Sequence, residues 1–383
     1  MRWRDRADAA RTAAIALLFC HGLGASTVAL PLLAVANGYQ ATTVGLLVAI
    51  SGAGQIGSRI AVVWLPRGLT ERWLIVAAVL LLCLSSAAVV VAPSLLMFVL
   101  AHLWQGIARG FFWIGLQAQV VRTVAEPRRP LAVVDFVGGI GLVIGPATIG
   151  LVGGSVRTTL ALSIVTTALS ALPVLRLAPL PLPAAAAARP LKLRWRGRRR
   201  WLRTDAPVLA AVSAGTWRGL LSSYVPVVLA GAGHATSAVG FLVGLGSATS
   251  IAGSMAVGLV AGRSLGSLYV MAALGSGIGL AGIGLRPGSL PVVAVLLVIS
   301  GVGAGVLQTL SSSLAAREVA RDERGRAVAT VGTYRAVALL TSPLGISGLL
   351  LIFPLGPAMA VIGAFAAIPA LSRWIVPGRR ADP

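Results

Sequence analysis

Apolar stretches of about 20 residues recur along almost the whole chain, and they constrain its fold more than any other feature. A helix of that length crosses a hydrocarbon core roughly 30 Å thick. With 57% hydrophobic and only 11% charged residues, the chain is also unlike an ordinary soluble domain. The pattern predicts twelve membrane-spanning helices at about residues 12–36, 42–64, 73–92, 95–121, 132–154, 157–178, 206–231, 236–261, 267–285, 290–316, 326–352 and 356–376. The first run resembles a secretion signal, but eleven more spans follow it, so it is interpreted as an uncleaved first helix.

The charge of the chain fits a membrane protein. A net charge of +22 and an isoelectric point near 11.9 would indicate a nucleic-acid partner in a soluble protein. Cytoplasmic loops of membrane proteins, however, are enriched in Lys and Arg. Of the 32 Lys and Arg residues, 27 fall in the termini and in the loops on their side of the predicted topology, and only Arg157 and Arg286 fall on the other side. This asymmetry predicts a multi-pass protein of the cytoplasmic membrane with both termini in the cytoplasm, and no nucleic-acid partner is expected.

A basic linker separates two blocks of six predicted spans. It begins with a Pro- and Ala-rich segment and holds eight Lys or Arg residues between Arg189 and Arg203, with Trp195 and Trp201 among them. Cationic and indole side chains together favour the surface of a bilayer that contains anionic lipid. The sequence therefore predicts an N-terminal six-helix bundle at residues 1–178, a cytoplasmic linker at 179–205 that binds anionic lipid, and a C-terminal six-helix bundle at 206–383.

The two blocks repeat each other at a constant spacing of 195 residues. The matches include a proline, a Val-Gly dipeptide, two glycines of one span and two loop arginines. They pair Pro31 with Pro226, Val44-Gly45 with Val239-Gly240, Gly106 and Gly110 with Gly301 and Gly305, and Arg122 and Arg129 with Arg317 and Arg324. Parallel halves related by an axis along the membrane normal are one of the known transporter architectures.

The fourth and fifth spans carry two motifs. Gln105-Gly106 resembles the pattern R-x-x-Q-G-x-G, and Gly141-x-x-x-Gly145-Pro146-x-x-x-Gly150 resembles G-x-x-x-G-P-x-x-G-G. On these motifs the chain resembles the major facilitator superfamily, and within it the drug and metabolite efflux members. The resemblance implies an all-α integral membrane fold, in which twelve transmembrane helices form two six-helix bundles related by a parallel repeat. Small residues of this kind let neighbouring helices approach closely.

Three arginines suggest the chemistry of the substrate. Arg109, Arg218 and Arg335 fall near the middle of the fourth, seventh and eleventh spans, whereas no Asp or Glu falls at comparable depth. An intramembrane charge tends to face a cavity or a partner. An anionic group on a small-molecule substrate would balance the guanidiniums by bidentate pairing. The candidate substrate-binding residues are His102, Gln105, Arg109 and Trp113 in the fourth span, Arg218 and Ser222 in the seventh, and Tyr334 and Arg335 in the eleventh.

Each of these assignments has an alternative. The arginines would also be explained by bonds to backbone carbonyls freed near a Gly or Pro, or by extension toward the membrane interface. His21, His102 and Asp135 are the candidates for proton coupling, since histidine changes charge near neutral pH. Neutral histidines hydrogen-bonded between helices, and an Asp135 paired with loop arginines, would explain the same residues without coupling.

These features favour a secondary active transporter that moves a small organic solute by alternating access. The fifth-span motif resembles exporters, so we expect export of an anionic or amphiphilic compound, and exchange for protons stays open. Import, uniport or exchange of a small organic anion is the alternative. An integral-membrane enzyme or receptor is a distant alternative, because the three histidines are scattered and the acids fall almost all in cytoplasmic loops. The chain is thus expected to be a monomer in the lipid bilayer, not an enzyme, with no metal and no cofactor.

Overall fold

The computed structural model describes residues 3–64, 70–123, 128–177, 205–259, 265–319 and 324–374, and almost all of the predicted basic linker lies outside these residues. The regular structure of the described residues is helical. The α-helices are α1 (Trp3–Ala36), α2 (Ala41–Ala61), α3 (Glu71–Val91), α4 (Leu95–Thr123), α5 (Arg128–Leu151), α6 (Val156–Leu169), α7 (Ala171–Leu175), α8 (Ala206–Ser222), α9 (Tyr224–Gly231), α10 (Thr236–Leu259), α11 (Leu265–Leu285), α12 (Leu290–Arg317), α13 (Arg324–Leu349) and α14 (Leu355–Ala367). Short 3-10 helices, Val62–Trp64 and Ile368–Trp374, extend α2 and α14.

Every predicted span coincides with one described helix or with two consecutive helices. Within the described residues, nine helices are long and apolar enough to cross a membrane. The three remaining spans depart from that pattern for separate reasons. The seventh is divided into α8 and α9, the eleventh (α13) carries Arg335 near its middle, and the twelfth (α14) has only 13 residues before its 3-10 extension.

The seventh span is interrupted at Ser223, where the backbone has φ −118° and ψ −70°. Pro226 explains the interruption, because it has no N–H to donate to the Ser222 carbonyl and its ring would clash with that carbonyl in a continuous helix. Serine hydroxyls bond the last turn of α8 instead. Ser222 Oγ donates to the Arg218 carbonyl at 3.0 Å, and Ser223 Oγ donates to the Gly219 carbonyl at 2.7 Å.

The chain divides into two compact units. The first contains Met1–Lys192 with His234–Gly244, and the second contains Leu193–Gly233 with Leu245–Pro383. The start of α10 therefore groups with the first unit. In that unit Gly240 is in close contact with α5: a Cβ added to this glycine would be 2.6 Å from the Pro146 carbonyl oxygen.

In the first unit, α1 packs against α5 and α6, while α4 packs against α2 and α3. The rings of Phe19 on α1 and Phe112 on α4 stack, with centroids 3.8 Å apart and planes 5° from parallel. Both rings are fully buried in an apolar core. In the second unit, α8 packs against α12 and α13, and α11 packs against α12 and α14.

Glycine contacts repeat in the two units and confirm the internal repeat. In each unit, two glycines of the fourth helix of the bundle lie directly against carbonyl oxygens of its second helix. The pairs are Gly106–Ser51 and Gly110–Gln55 in the first unit, and Gly301–Gly246 and Gly305–Ser250 in the second. All four residues of the second set follow their counterparts by 195 positions. The turns that follow α1 and α9 repeat as well, because Gly38 and Gly233 adopt φ of 83° and 84°.

Candidate functional site

The first unit contains a polar network that joins three helices. Gln105 on α4 donates from Nε2 to Ser26 Oγ on α1 at 3.0 Å, and it accepts from Ser51 Oγ on α2 at 3.5 Å. Ser26 in turn donates to the Leu23 carbonyl at 3.1 Å. The Gln105, Ser26 and Ser51 side chains are all buried. Since each hydrogen-bonding group here lies in apolar surroundings, the network fixes how α4 meets its neighbours.

Arg109 lies one turn further along α4 and also faces α1. Its Nη2 donates to Thr27 Oγ1 at 3.2 Å, and the Thr27 hydroxyl donates to the Leu23 carbonyl at 2.6 Å. Both side chains are partly buried. A hydroxyl carries no charge, so this bond orients the guanidinium without neutralising it.

His102 is almost completely buried, with 1% of its surface exposed. Its Nδ1 lies 2.8 Å from the Phe98 carbonyl oxygen in the same helix, so this nitrogen carries the proton. Its Nε2 has no hydrogen-bond partner among the described residues. A buried nitrogen of this kind is costly unless a ligand or water completes its bonding.

Trp113 and Asp135, two further candidates of the first unit, are not part of the Gln105 network. Trp113 packs edge-to-face on Phe112, with centroids 5.4 Å apart, and reaches α5, where a Cβ added to Gly138 would be 3.3 Å from its ring. Asp135 lies near the start of α5, and its side chain is exposed. Gln105 and Arg109 thus share a contact surface with α1, whereas Trp113 and Asp135 do not belong to it.

The glycines of α5 lie against α1. A Cβ added to Gly141 would be 2.5 Å from the Leu17 carbonyl oxygen, and one added to Gly145 would be 2.6 Å from the Ala25 nitrogen. His21 lies between these two contacts. Its Nδ1 is 3.0 Å from Thr166 Oγ1 on α6, and its Nε2 is 2.9 Å from Thr148 Oγ1 on α5.

In the second unit, Arg218 lies about one turn before the end of α8. Its Nη1 donates to Ser247 Oγ on α10 at 3.3 Å. Ser247 is buried, with 4% of its surface exposed, while Arg218 is partly exposed. Ser222 shares this end of α8, but its hydroxyl is already bonded to carbonyls of its own helix.

Tyr334 and Arg335 lie on α13, next to α8, and both side chains are partly buried. The Arg335 carbonyl oxygen would be 2.6 Å from a Cβ added to Gly215 on α8. Beyond the interruption of the seventh span, Tyr224 and Ser347 join α9 to α13 through their hydroxyls, which lie 2.9 Å apart. The candidates of the second unit therefore occupy two adjacent helices.

The hydroxyls that bond Arg109 and Arg218 belong to Thr27 and Ser247, which the sequence alone did not single out. Thr27 and Ser247 are two of many Ser and Thr residues in apolar helices. A hydroxyl there usually bonds a carbonyl of its own helix, so its presence indicates nothing about a site. No group of three or more His, Cys, Asp or Glu residues that could hold a metal occurs in the described part of the chain.

The Gln105 network gives a first prediction. Replacing Gln105 by leucine removes its bonds to α1 and α2, and interhelical hydrogen bonds in membrane proteins contribute about 0.6 to 1.7 kcal/mol. We expect a lower Tm in detergent than for the wild-type protein. The control is Gln117→Leu, because Gln117 lies on the same helix but is exposed. Equal Tm values for the two variants would show that the network does not stabilise the unit.

Comparison with known proteins shows which family has this architecture. The profile of the family described as Major Facilitator Superfamily matches residues 12–343. No curated protein sequence is significantly similar to the chain.

Solved structures share the fold over nearly the full length. The nucleoside transporter NupG has a TM-score of 0.78 at 10% identity, covering 96% of this chain and 98% of its own. The D-xylose–proton symporter has a TM-score of 0.71 at 15% identity, covering 96% and 97%. The human organic anion transporter MFSD10 has a TM-score of 0.63 at 16% identity, covering 97% and 100%. At such identities the similarity shows the fold alone.

Proposed function

Because the chain belongs to the major facilitator superfamily, it is a membrane transporter of small solutes and not an enzyme, and we propose that it exports an anionic or amphiphilic organic compound. Export proceeds by alternating access, in which one substrate site opens in turn to either side of the membrane. The proposed substrate-binding residues are the midspan arginines and their polar neighbours, on α4 in the first unit and on α8 and α13 in the second. The proposal has three parts, which are the charge of the substrate, the direction of transport and the orientation in the membrane.

The surroundings of Arg218 support an anionic substrate most strongly. This residue lies in the interior of a membrane span, is partly exposed, and is oriented by a neutral hydroxyl from Ser247. Guanidinium groups bind carboxylates and phosphates in bidentate fashion, and such bonds are about twice as strong as neutral ones. Arg109, held by Thr27 in the first unit, has the same kind of surroundings.

The acidic residues of the chain support the same conclusion. All ten lie in the termini, in loops or near a helix end, so none is at the depth of Arg109, Arg218 or Arg335. A substrate that brings a negative charge to this depth lowers the electrostatic cost of the intramembrane guanidiniums. A cationic substrate would raise it.

The direction of transport rests on the Gly-Pro motif of α5, which resembles that of exporters. We propose exchange for protons as the driving reaction. Import, uniport or exchange of a small organic anion is the alternative, and it would use the same arginines. Flux assays separate these possibilities, because an exporter accumulates its substrate in inside-out vesicles and not in right-side-out vesicles.

The proposed orientation places both termini on the cytoplasmic side of the cytoplasmic membrane, as the distribution of 27 against two basic residues favours. On that side the basic linker binds anionic lipid, which adds about 1 kcal/mol for each Lys or Arg near the surface. The protein acts as a monomer in this proposal.

A ligand screen on the purified wild-type protein tests the charge of the substrate. The probes are matched in shape and differ in charge: naphthoate, naphthamide and naphthylmethyl-trimethylammonium, with succinate and benzoate as further anions. A ligand that binds only the native state at 100 times its Kd stabilises it by about 2.7 kcal/mol. We therefore expect a rise in Tm with one or more anions and none with the matched amide or ammonium probe. Stabilisation by the ammonium probe, or by the amide as strongly as by the anion, would overturn the proposal of an anionic substrate.

A further inference from the structure

His21 on α1 lies between hydroxyls from two other helices of the first unit. Its Nδ1 and Nε2 are 3.0 and 2.9 Å from the hydroxyl oxygens of Thr166 and Thr148, respectively. Both ring nitrogens are therefore within hydrogen-bonding distance of a hydroxyl group. The side chain is only partly buried, in contrast to that of His102.

The direction of these hydrogen bonds depends on where the threonine protons are. Thr148 Oγ1 donates to the Ile144 carbonyl at 3.0 Å, and Thr166 Oγ1 donates to the Leu162 carbonyl at 3.0 Å. A hydroxyl has one proton, so when both protons point to these carbonyls, both hydroxyls are left as acceptors toward His21. Two acceptors are satisfied together only by an imidazolium, which carries an N–H on each nitrogen.

A neutral ring cannot make the same set of bonds. It donates from one nitrogen, and its other nitrogen then presents a lone pair to a hydroxyl oxygen. That hydroxyl has to turn its proton away from its own helix and toward the ring. One proton on His21 thus decides the hydrogen-bond arrangement across α1, α5 and α6.

Close backbone packing surrounds this residue. A Cβ added to Gly141 on α5 would be 2.8 Å from the His21 nitrogen, and Gly145 faces the His21 carbonyl oxygen. A Cβ added to Gly22 would be 2.9 Å from the Ser163 carbonyl oxygen on α6. A change of hydrogen bonds at His21 therefore acts where three helices are already in close contact.

The bonds of His21 are to neutral hydroxyls. On α1 itself, Asp8 and Arg11 form a salt bridge at 2.7 Å, ten residues or more from His21 and hence about 15 Å along the helix. On α3, the Cys83 thiol donates to the Ile164 carbonyl at 3.6 Å, two residues before Thr166. On α1 and the helices packed against it, the other titratable and charged groups whose side chains the structure describes are Cys20 on α1, Arg59 on α2, Glu71, Arg72 and Cys83 on α3, His102 and Arg109 on α4, Asp135 on α5, Arg157 on α6 and Arg176 after α7. By sequence, Arg4, Asp5 and Arg6 lie in the first turn of α1, Arg122 at the end of α4, and Arg128 and Arg129 at the start of α5.

We propose that His21 is the residue that binds the exchanged proton, with Thr148 and Thr166 accepting the two N–H groups of its imidazolium. The inference rests on the proposed function, since it assigns the coupling step of a transporter. A hydronium ion gives its proton to the free lone pair of the ring: an N–H bond forms, one O–H bond of the hydronium breaks to leave water, and the ring charge rises from zero to +1. His102 lacks this arrangement, because among the described residues its hydrogen bond is to a carbonyl of its own helix, and its Nε2 has no partner.

Direct observation of the ring tests the proton site without a substrate. The chain has three histidines, so the full-length His102→Gln/His234→Gln variant labelled with ¹⁵N-histidine reports on His21 alone. Between about pH 8 and pH 5, the range in which histidine changes charge, we expect conversion to a ring with two N–H signals. Thr148→Val and Thr166→Val, which remove one acceptor each, should each shift this conversion to lower pH. A ring that stays neutral throughout, or a conversion that neither valine variant changes, would overturn the inference.

Proton release on anion binding tests the coupling. In weakly buffered detergent solution near pH 6, naphthoate binding should release protons from the wild-type protein and from His234→Gln. His21→Gln should bind naphthoate, as judged by its Tm, and release none. Equal proton release from His21→Gln would contradict the inference. If naphthoate, succinate and benzoate all fail to stabilise the wild-type protein, the anion proposal fails, while the spectroscopic result for His21 still stands on its own.

Discussion

Replacing Arg218 by glutamine is expected to weaken the binding of the stabilising anion about 100-fold. Glutamine keeps a polar side chain at this position but removes the positive charge that Arg218 carries beside Ser247. Hydrogen bonds to a charged group contribute about 1.5 to 3 kcal/mol, so two bonds to a carboxylate account for an effect of this size. The measured quantity is the anion concentration that gives half of the maximal increase in Tm, compared between the variant and the wild-type protein.

Two further variants separate charge from geometry at this site. Arg218→Lys keeps the charge but loses the planar pair of donors, so we expect binding about 10-fold weaker than wild type. Ser247→Ala keeps Arg218 and removes the hydroxyl that orients it. The loss of one such hydrogen bond is expected to weaken the binding free energy of the anion by about 1 kcal/mol. Binding should therefore decrease in the order wild type, Ser247→Ala, Arg218→Lys, Arg218→Gln.

Arg286→Gln is the matched control for this series. Arg286 is exposed just after α11, so its replacement removes the same charge from the chain outside any span. Its anion binding should equal that of wild type. If Arg286→Gln and Arg218→Gln weaken binding equally, the effect comes from overall charge, and Arg218 is not a binding residue.

Placing valine at Gly106 is expected to prevent the first unit from folding normally. A Cβ at this position meets the Ser51 carbonyl oxygen, and backbone cannot move aside as a flexible side chain can. Overpacking a close contact costs about 1 to 3 kcal/mol or more, which is a large part of the stability of a typical domain. We expect little monodisperse protein after purification, and a Tm well below that of wild type in what remains.

The repeat supplies a second test of the same contact, and α2 supplies its control. Gly301→Val should have the same effect in the second unit, because Gly301 faces the Gly246 carbonyl oxygen. Gly57 lies within α2, and a Cβ added there would have no atom of the described residues within 4 Å apart from the adjacent backbone of its own helix, so Gly57→Val should purify like wild type. Normal folding of Gly106→Val would mean that α2 and α4 are not in backbone contact.

The helices could be predicted from the sequence because membrane-spanning segments have strong length and composition requirements. The predicted fifth span, residues 132–154, lies within four residues of the ends of α5, and the tenth, 290–316, ends one residue before α12 does. The 195-residue spacing also predicted which glycines are equivalent, because close helix packing admits only the smallest side chains.

The interruption of the seventh span was not predictable in the same way. Pro31 and Pro226 are equivalent in the repeat, yet α1 continues through Pro31, whereas α8 ends four residues before Pro226, which lies in α9. A proline removes one helical hydrogen bond in either case. Whether the helix continues depends on the surrounding packing, which a single sequence does not specify.

The arginines were identified from the sequence, but their partners were not. A charged residue in an apolar segment is conspicuous, whereas Thr27 and Ser247 look like many other small polar residues. The same limit applies to His21, whose position was evident but whose two threonine partners come from α5 and α6, more than 120 residues away. Such pairs become visible only when the helices are placed side by side.

The interruption at Ser223 also has an electrical consequence. A helix that ends inside a membrane presents the negative pole of its dipole there, equivalent to about half an elementary charge. Arg218 lies four residues before the end of α8, just before the last turn, within which a cation is favoured. Moving the end of the helix by one turn would change the field at Arg218 without altering any ionisable residue.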